Sequence, residues 1–385
     1  MKMTKLSLVA TLAISSAFAG GDIAPVEPVV EAPVVEAAAC NSNTTINGKA
    51  VLYSFTTDGN GDLDWYNGDS SALGAAVTLD VAHKITDNVT ANVSAVGFTN
   101  LTNAYTDLNG WEQFEGEETA AFLNIANITA AYGDTTFVLG RQLLDTPMIQ
   151  SFDWLLAPGS FEAYTVVNKS ISNLTLFGSY IEAYRANGSG TEFLDGEGDT
   201  WTVGASYSDA FDASVWYYNV DDGDSYTQVY GDAGVEVSGI KLAAQYVETD
   251  YDMAMMDDST AYGVKAETTL AGFDLAAAYV KVEDNPVGFV DWDGLYTSMW
   301  MTPTSGSVGD NWMVSAATEF SGVSVSAAYG DFAYENDVES GSEFDLVLGY
   351  GITDCISLDA AYTITDYGNG DGDEQVMELI ATYKF

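Results

Sequence analysis

One histidine (His83), two cysteines (Cys40 and Cys355) and two arginines (Arg141 and Arg185) are the whole supply of imidazole, thiol and guanidinium groups in 385 residues. Zinc fingers and haem attachment need such groups in close pairs, and the chain has no CxxC. His83 precedes a turn at Lys84 to Asp87, a place that suits a solvated or structural ring. Carboxylates dominate instead: 57 Asp and Glu against 11 Lys and Arg, a formal net charge of −46. The basic residues are scattered singly from Lys2 to Lys384, so no basic stripe exists for phosphate and nucleic acid is a poor partner. Acidic, Gly-rich stretches raise calcium, which wants six to eight oxygens. Asp58-x-Asn60-x-Asp62 starts like an EF-hand loop, but Leu63 stands where the glycine must be and Asp69 where the glutamate must be. That excludes an EF-hand and leaves looser binding of Ca2+ or Mg2+ at acidic loops, with no ligand set assignable. Covalent catalysis has little raw material, and neither an enzyme nor a required cofactor is expected.

The elements that position these groups follow from hydropathy. A composition that is 47% apolar and 12% aromatic is too oily for disorder. Residues 1–19 carry Lys2 and Lys5, an apolar run from Leu6 to Phe18 and Ala17-Phe18-Ala19, the pattern of a cleaved export signal. Residues 20–44 repeat a PVVEA-like unit and read as an extended periplasmic tether. A lipobox ending at Cys40 lacks a hydrophobic region at the right distance before it. From Thr45 onward the chain alternates with period two, so it reads as strands. Leu358, Ala360, Tyr362 and Ile364 share one face opposite Asp359, Thr363 and Thr365; Phe344, Leu346, Leu348, Tyr350 and Ile352 share another.

Connections decide between a soluble sandwich and a barrel. Very short ones near residues 85–87, 133–134, 172–173, 210–211, 238–239, 271–272, 321–322 and 353–355 alternate with nine long, mostly acidic ones. Eighteen strands satisfy that pattern at about 19 residues per strand and connection, which suits an all-β, antiparallel transmembrane barrel with short periplasmic turns and long outer loops. Weak patterning at 162–168 and 226–237 leaves sixteen strands as the alternative count. A barrel this wide, polar inside, implies a water-filled channel.

The final strand, from Val376 through Met377, Leu379, Ala381 and Tyr383 to a terminal Phe385, resembles the C-terminal signal that barrel assembly machinery recognises on outer-membrane proteins. The stretch GRQLLDTP, Gly140 to Pro147, with the following MIQSFDWLLAPGSFEA, resembles the strand and third loop of OprD-like and Campylobacter-type major outer membrane porins. The resemblance implies a loop at 145–161 folded into the barrel as its constriction, with Arg141, Asp145, Asp153 and Glu162 as opposed charges across it. Plain alternation puts Arg141 on the face of Phe137 and Leu139, so this role requires a bulge or apolar side chains in the lumen. Trimers are common in porins of this resemblance, which makes a homotrimer the expected assembly. OprD-type channels for carboxylates line the lumen with an arginine ladder, and two arginines cannot build one.

The expected function is therefore an outer-membrane porin passing small hydrophilic solutes and ions by passive diffusion, with cations favoured by acidic walls and mouth. Outer-membrane lipid and lipopolysaccharide are its surroundings, the latter bridged by divalent cations to loop carboxylates. Glu182 and Arg185 could add lumen charge, although a separation of three keeps both from facing inward without a bulge. Cys40 and Cys355 should lie two strands apart at the periplasmic rim, roughly 10 Å, where an oxidising compartment favours a disulfide. Tyr53, Trp216, Tyr218, Tyr350 and Tyr383 are expected in aromatic belts. The rival reading is a structural or adhesive surface barrel with a blocked lumen, whose acidic loops bind divalent cations or partners.

Overall fold

Period-two alternation with β-branched and aromatic residues on one face leaves each segment a single stable solution: pair with its neighbours, and close, so that no edge is left. The computed structural model describes residues 43–59, 65–67, 70–102, 119–151, 155–221, 225–252, 256–290, 293–333, 340–368 and 373–385. The expected export signal and the tether up to residue 42 lie outside them. Six strands come first: β1 Thr44–Asp58, β2 Ser71–Thr86, β3 Val89–Asn100, β4 Ala120–Tyr132, β5 Thr135–Gln142 and β6 Ser160–Ile171. Then follow β7 Leu174–Arg185, β8 Leu194–Ser208, β9 Asp212–Val220, β10 Tyr226–Val237, β11 Ile240–Tyr251 and β12 Ser259–Leu270. The last are β13 Phe273–Glu283, β14 Gly309–Phe320, β15 Val323–Phe332, β16 Gly341–Thr353, β17 Ile356–Asp366 and β18 Asp373–Lys384. Each pairs antiparallel with the next, and β1 pairs with β18 from Lys49↔Lys384 to Asp58↔Gln375, closing an 18-stranded barrel. The count is eighteen, not sixteen, because both weakly patterned stretches are strands, β6 and β10.

All eight short connections fall where the sequence puts them. Ser238-Gly239, Ala271-Gly272 and Ser321-Gly322 hold positive φ at both positions (56° and 80°, 55° and 86°, 54° and 83°), the tight hairpin geometry whose twist matches the strands. The barrel seam closes on Gly48 and Phe385, which exchange backbone hydrogen bonds of 2.8 and 2.9 Å. A Cβ on Gly48 would meet the Thr78 backbone carbonyl oxygen as well as the Phe385 ring, so glycine is required there.

The outward face is oily: Leu52, Val77, Leu79, Val203, Val264 and Val314 are 43–57% exposed. Towards the long-loop end, Tyr164, Tyr180, Tyr246, Tyr262 and Tyr279 form an outward girdle, and their hydroxyls donate to Glu182, Asp199, Glu248, Glu283 and Asp310 respectively. Amphipathic rings with one wet end suit a membrane interface. The hydrophobic core is inside the barrel, where two long connections turn inward: L3 (143–159) and L7 (284–308). Leu144, Met148 and Ile149 of L3 and Leu295, Tyr296 and Met299 of L7 pack with Trp216, Tyr218, Tyr230, Val247, Val280 and Met313 of the wall.

Candidate channel constriction

L3 and L7 enter from β5–β6 and β13–β14 and meet. Val290 N–H donates to the Met148 carbonyl at 2.9 Å and Gln150 N–H to the Val290 carbonyl at 3.3 Å, a parallel bridge inside the lumen. Within L3, the Ser151 amide donates to Asp145 Oδ1 at 3.1 Å while Ser151 Oγ bonds back to Leu144. Asp145 thus caps the turn at Thr146–Ile149. L7 is knotted on one carboxylate: Asp293 accepts from Leu295 N–H (2.9 Å), Ser298 Oγ–H (2.5 Å) and Ser305 N–H (2.9 Å). Burial pushes the Asp293 carboxyl above its ordinary value, against the downward pull of these same bonds.

L7 then crosses the lumen and docks on the far wall. Trp300 N–H donates to Asp345 Oδ2 at 3.1 Å, Met301 N–H to Glu343 Oε1 at 2.8 Å and Thr302 Oγ–H to Glu343 Oε2 at 2.6 Å. The Trp300 indole N–H reaches Glu378 Oε2 at 2.8 Å, and Tyr53 O–H holds the other oxygen at 2.7 Å. Glu343, Asp345 and Glu378 occupy the inner faces of β16 and β18, opposite the oily faces read from the sequence. That alternation was legible; that three buried acids would dock a loop was not, because no spacing in the sequence brings 300–302 to 343, 345 and 378.

Several sequence-expected site residues lie elsewhere. Pairing through Arg141↔Glu162 runs unbroken, without the bulge the constriction role requires. Arg141 therefore stays with Phe137 and Leu139 on the outward face. There it pairs with Glu162 at 3.3 Å, donates to the Leu123 carbonyl at 3.1 Å and lies 3.9 Å over the Phe193 ring. Glu182 also faces outward, beneath Tyr164 O–H. Arg185 faces inward but is wholly buried, donating to the Pro158 and Gly190 carbonyls at 3.0 and 2.6 Å with its guanidinium 4.3 Å over Phe122. It clamps the end of L3 and does not charge the lumen. Asp153 lies outside the described residues.

Tyr350 and Tyr383 face outward as belt residues, whereas Tyr53, Trp216 and Tyr218 point inward under the loops. His83 bonds Thr44 at the exposed short-turn rim, 2.8 Å. Cys355 is exposed in the last short turn, and Cys40 lies outside the described residues. Among the described residues no group of three His, Cys, Asp or Glu could hold a metal ion.

A closed eighteen-stranded barrel, oily outside and narrowed by two infolded loops, has the architecture of porins. Solved structures share it at low identity, and its fold is that of the OprD-type porins. OccK8 (OprE) of Pseudomonas aeruginosa matches with a TM-score of 0.71 and 15% identity over 89% of this chain and 98% of that one. OpdQ and the outer membrane protein OpdK of the same organism match with a TM-score of 0.73, at 15% and 14% identity, over the same shares. No protein-family model and no curated protein matches the sequence.

Proposed function

We propose that the protein is an outer-membrane porin through which small hydrophilic solutes and ions diffuse passively, with cations preferred. The observation that carries this is the inner wall below the loops. Asp80, Asp212, Asp232, Glu236, Glu267 and Asp274 stand on its inward-facing register positions, with Lys49, Lys241 and Lys265 among them. Two of these lysines are held by acids, Lys241 at 4.0 Å from Asp212 and Lys265 at 3.0 Å from Glu267. A lumen with fixed negative charge and low-dielectric walls concentrates cations. The export-signal pattern and the Tyr383-x-Phe385 strand support delivery to the outer membrane by the assembly machinery; the same reading places the barrel in a homotrimer, surrounded by lipopolysaccharide with Ca2+ or Mg2+ at the acidic loops. A Cys40–Cys355 disulfide ties the entry of β1 to the last turn in the same reading.

The test is planar-bilayer conductance of the refolded protein with the reversal potential read across a KCl gradient. Unitary steps and a cation-favouring potential are expected. One observation favours the rival, a surface scaffold with a blocked lumen: Leu155, Leu156 and Met301 pack against β1–β4 and β18, opposite the wall that holds the rest of L3 and L7. A heat-modifiable, folded barrel that leaves the bilayer insulating selects that reading.

A further inference from the structure

Directly under L7, three consecutive inward positions of β12 are Gly263, Lys265 and Glu267, and Asp232 of β10 stands two strands away at the level of Gly263. Gln245 on the strand between fixes the loop above them, accepting from Tyr296 N–H at 2.7 Å and donating to the Gly294 carbonyl at 3.2 Å. This sets the Tyr296 ring over the Lys265 ammonium, 5.0 Å from Nζ to the ring centroid. Glu267 Oε1 lies 3.0 Å from the same Nζ, and Asp232 is bonded to Ser214. Lys265 is 2% exposed at its side chain while Glu267 is 27% exposed and borders a recess of about 500 Å³ with Glu236, Lys241 and Asp274.

These groups are what a cation asks for: a carboxylate oxygen against it, an aromatic face over it and a second carboxylate on the neighbouring wall. An ammonium buried without them would be costly. Two acids share this stretch of wall with one base, so it remains negative with Lys265 in place. The Tyr296 hydroxyl adds a second sign that this space is made for a polar guest: it is wholly buried and has no hydrogen-bond partner among the described residues.

We propose that Asp232, Glu267 and the Tyr296 ring form a cation site on the channel wall, for alkali cations and the ammonium ends of small amines, and that Lys265 is its tethered occupant. The inference rests on the porin reading and deepens it. Lys265 is then the residue that limits selectivity: by occupying the cage it removes one unit of negative charge from the passage and denies the site to free cations. Emptying the cage raises the preference for cations and exposes a site that an amine can fill and block.

The experiment compares reversal potentials in a KCl gradient, and current with added methylammonium chloride, for the wild type and four variants. Lys265→Met should raise the cation-to-anion permeability ratio several-fold and make the current sensitive to methylammonium. Lys265→Arg should behave as wild type, and Glu267→Gln should lower the ratio. Lys281→Met removes the same charge from the outward face, where Lys281 sits 3.0 Å from Glu283, and should change neither readout. Heat-modifiable migration establishes that each variant folds; should Lys265→Met not assemble, Lys265→Gln gives the same readings. A conducting wild type with an unshifted Lys265→Met or Lys265→Gln ratio and no amine block overturns the cage alone. An insulating wild type overturns the porin reading, and the cage with it.

Discussion

Trp300 at the middle of L7 and Glu378 on the final strand, 78 residues apart in sequence, are joined by a 2.8 Å bond from the indole N–H to the carboxylate. The loop is thereby tied to the seam strand, whose other acceptor oxygen is held by Tyr53 of β1. One carboxylate fastens both the closure of the barrel and the strap across it.

Glu378→Leu should release that strap. It removes the acceptor that both the Trp300 indole and the Tyr53 hydroxyl use, at about 1–3 kcal/mol for each bond lost. Lower resistance to denaturant, together with larger and noisier unitary conductance, is the expected result. Unchanged conductance at reduced stability would show that the remaining bonds to Glu343 and Asp345 suffice to hold L7.

Arg141 should matter little to permeation. Its pair with Glu162 is outward and partly solvated, with side chains 32% and 42% exposed, so Arg141→Ala should cost ~0–1 kcal/mol. The reversal potential in a salt gradient should stay at the wild-type value. A shift comparable to that of a lumen acid would return Arg141 to the constriction.

The barrel could be read from the sequence because its signals are local and repeat: period-two faces, eight tight turns and a terminal aromatic strand. Even the side of each strand that meets lipid was legible at Leu358, Tyr362, Phe344 and Leu348. The constriction was less so. Arg141 and Glu162 flank the loop that turns inward, but a side chain's face is fixed by strand register, and no bulge intervenes between Phe137 and Gln142. The inward turn of L7 left no local trace. Its bonds run from Trp300 to Asp345, and from Tyr296 to Gln245, contacts between residues 45 and 51 apart that only the assembled sheet creates. Buried aromatics such as Trp216 and Tyr218 read as belt residues for the same reason, since nothing in the chain says that a loop will cover them.

Arg185 should be intolerant of substitution although it carries no current. Arg185→Met takes the donor from the Pro158 and Gly190 carbonyls, the first of them at a buried bond, which costs roughly 2–4 kcal/mol. Lysine cannot replace the fork that reaches both carbonyls while stacking on Phe122, so Arg185→Lys should recover only part of the loss. Urea or guanidinium midpoints of refolded variants measure this. Equal stability of the lysine variant and wild type would mean that charge alone suffices there.

Asp293 gives L7 a pH dependence whose sign can be worked out. Its carboxyl is held above the ordinary value by burial, so the folded state keeps the proton to higher pH than the unfolded chain does. The stability contributed by this group is complete below about pH 4, where both states are protonated, and is lost as pH rises through the folded-state value. Asp293→Asn removes the titration. It keeps an acceptor for Leu295 and Ser298 but gives up the one for Ser305, so the variant should be less stable at low pH and show a flatter decline as pH rises. Denaturant midpoints taken across the acid range for both proteins provide the comparison. Parallel slopes would show that another group carries the acid dependence and that Asp293 titrates alike in the folded and unfolded chains, whereas wild-type stability rising with pH relative to the variant would show that its three donors outweigh its burial.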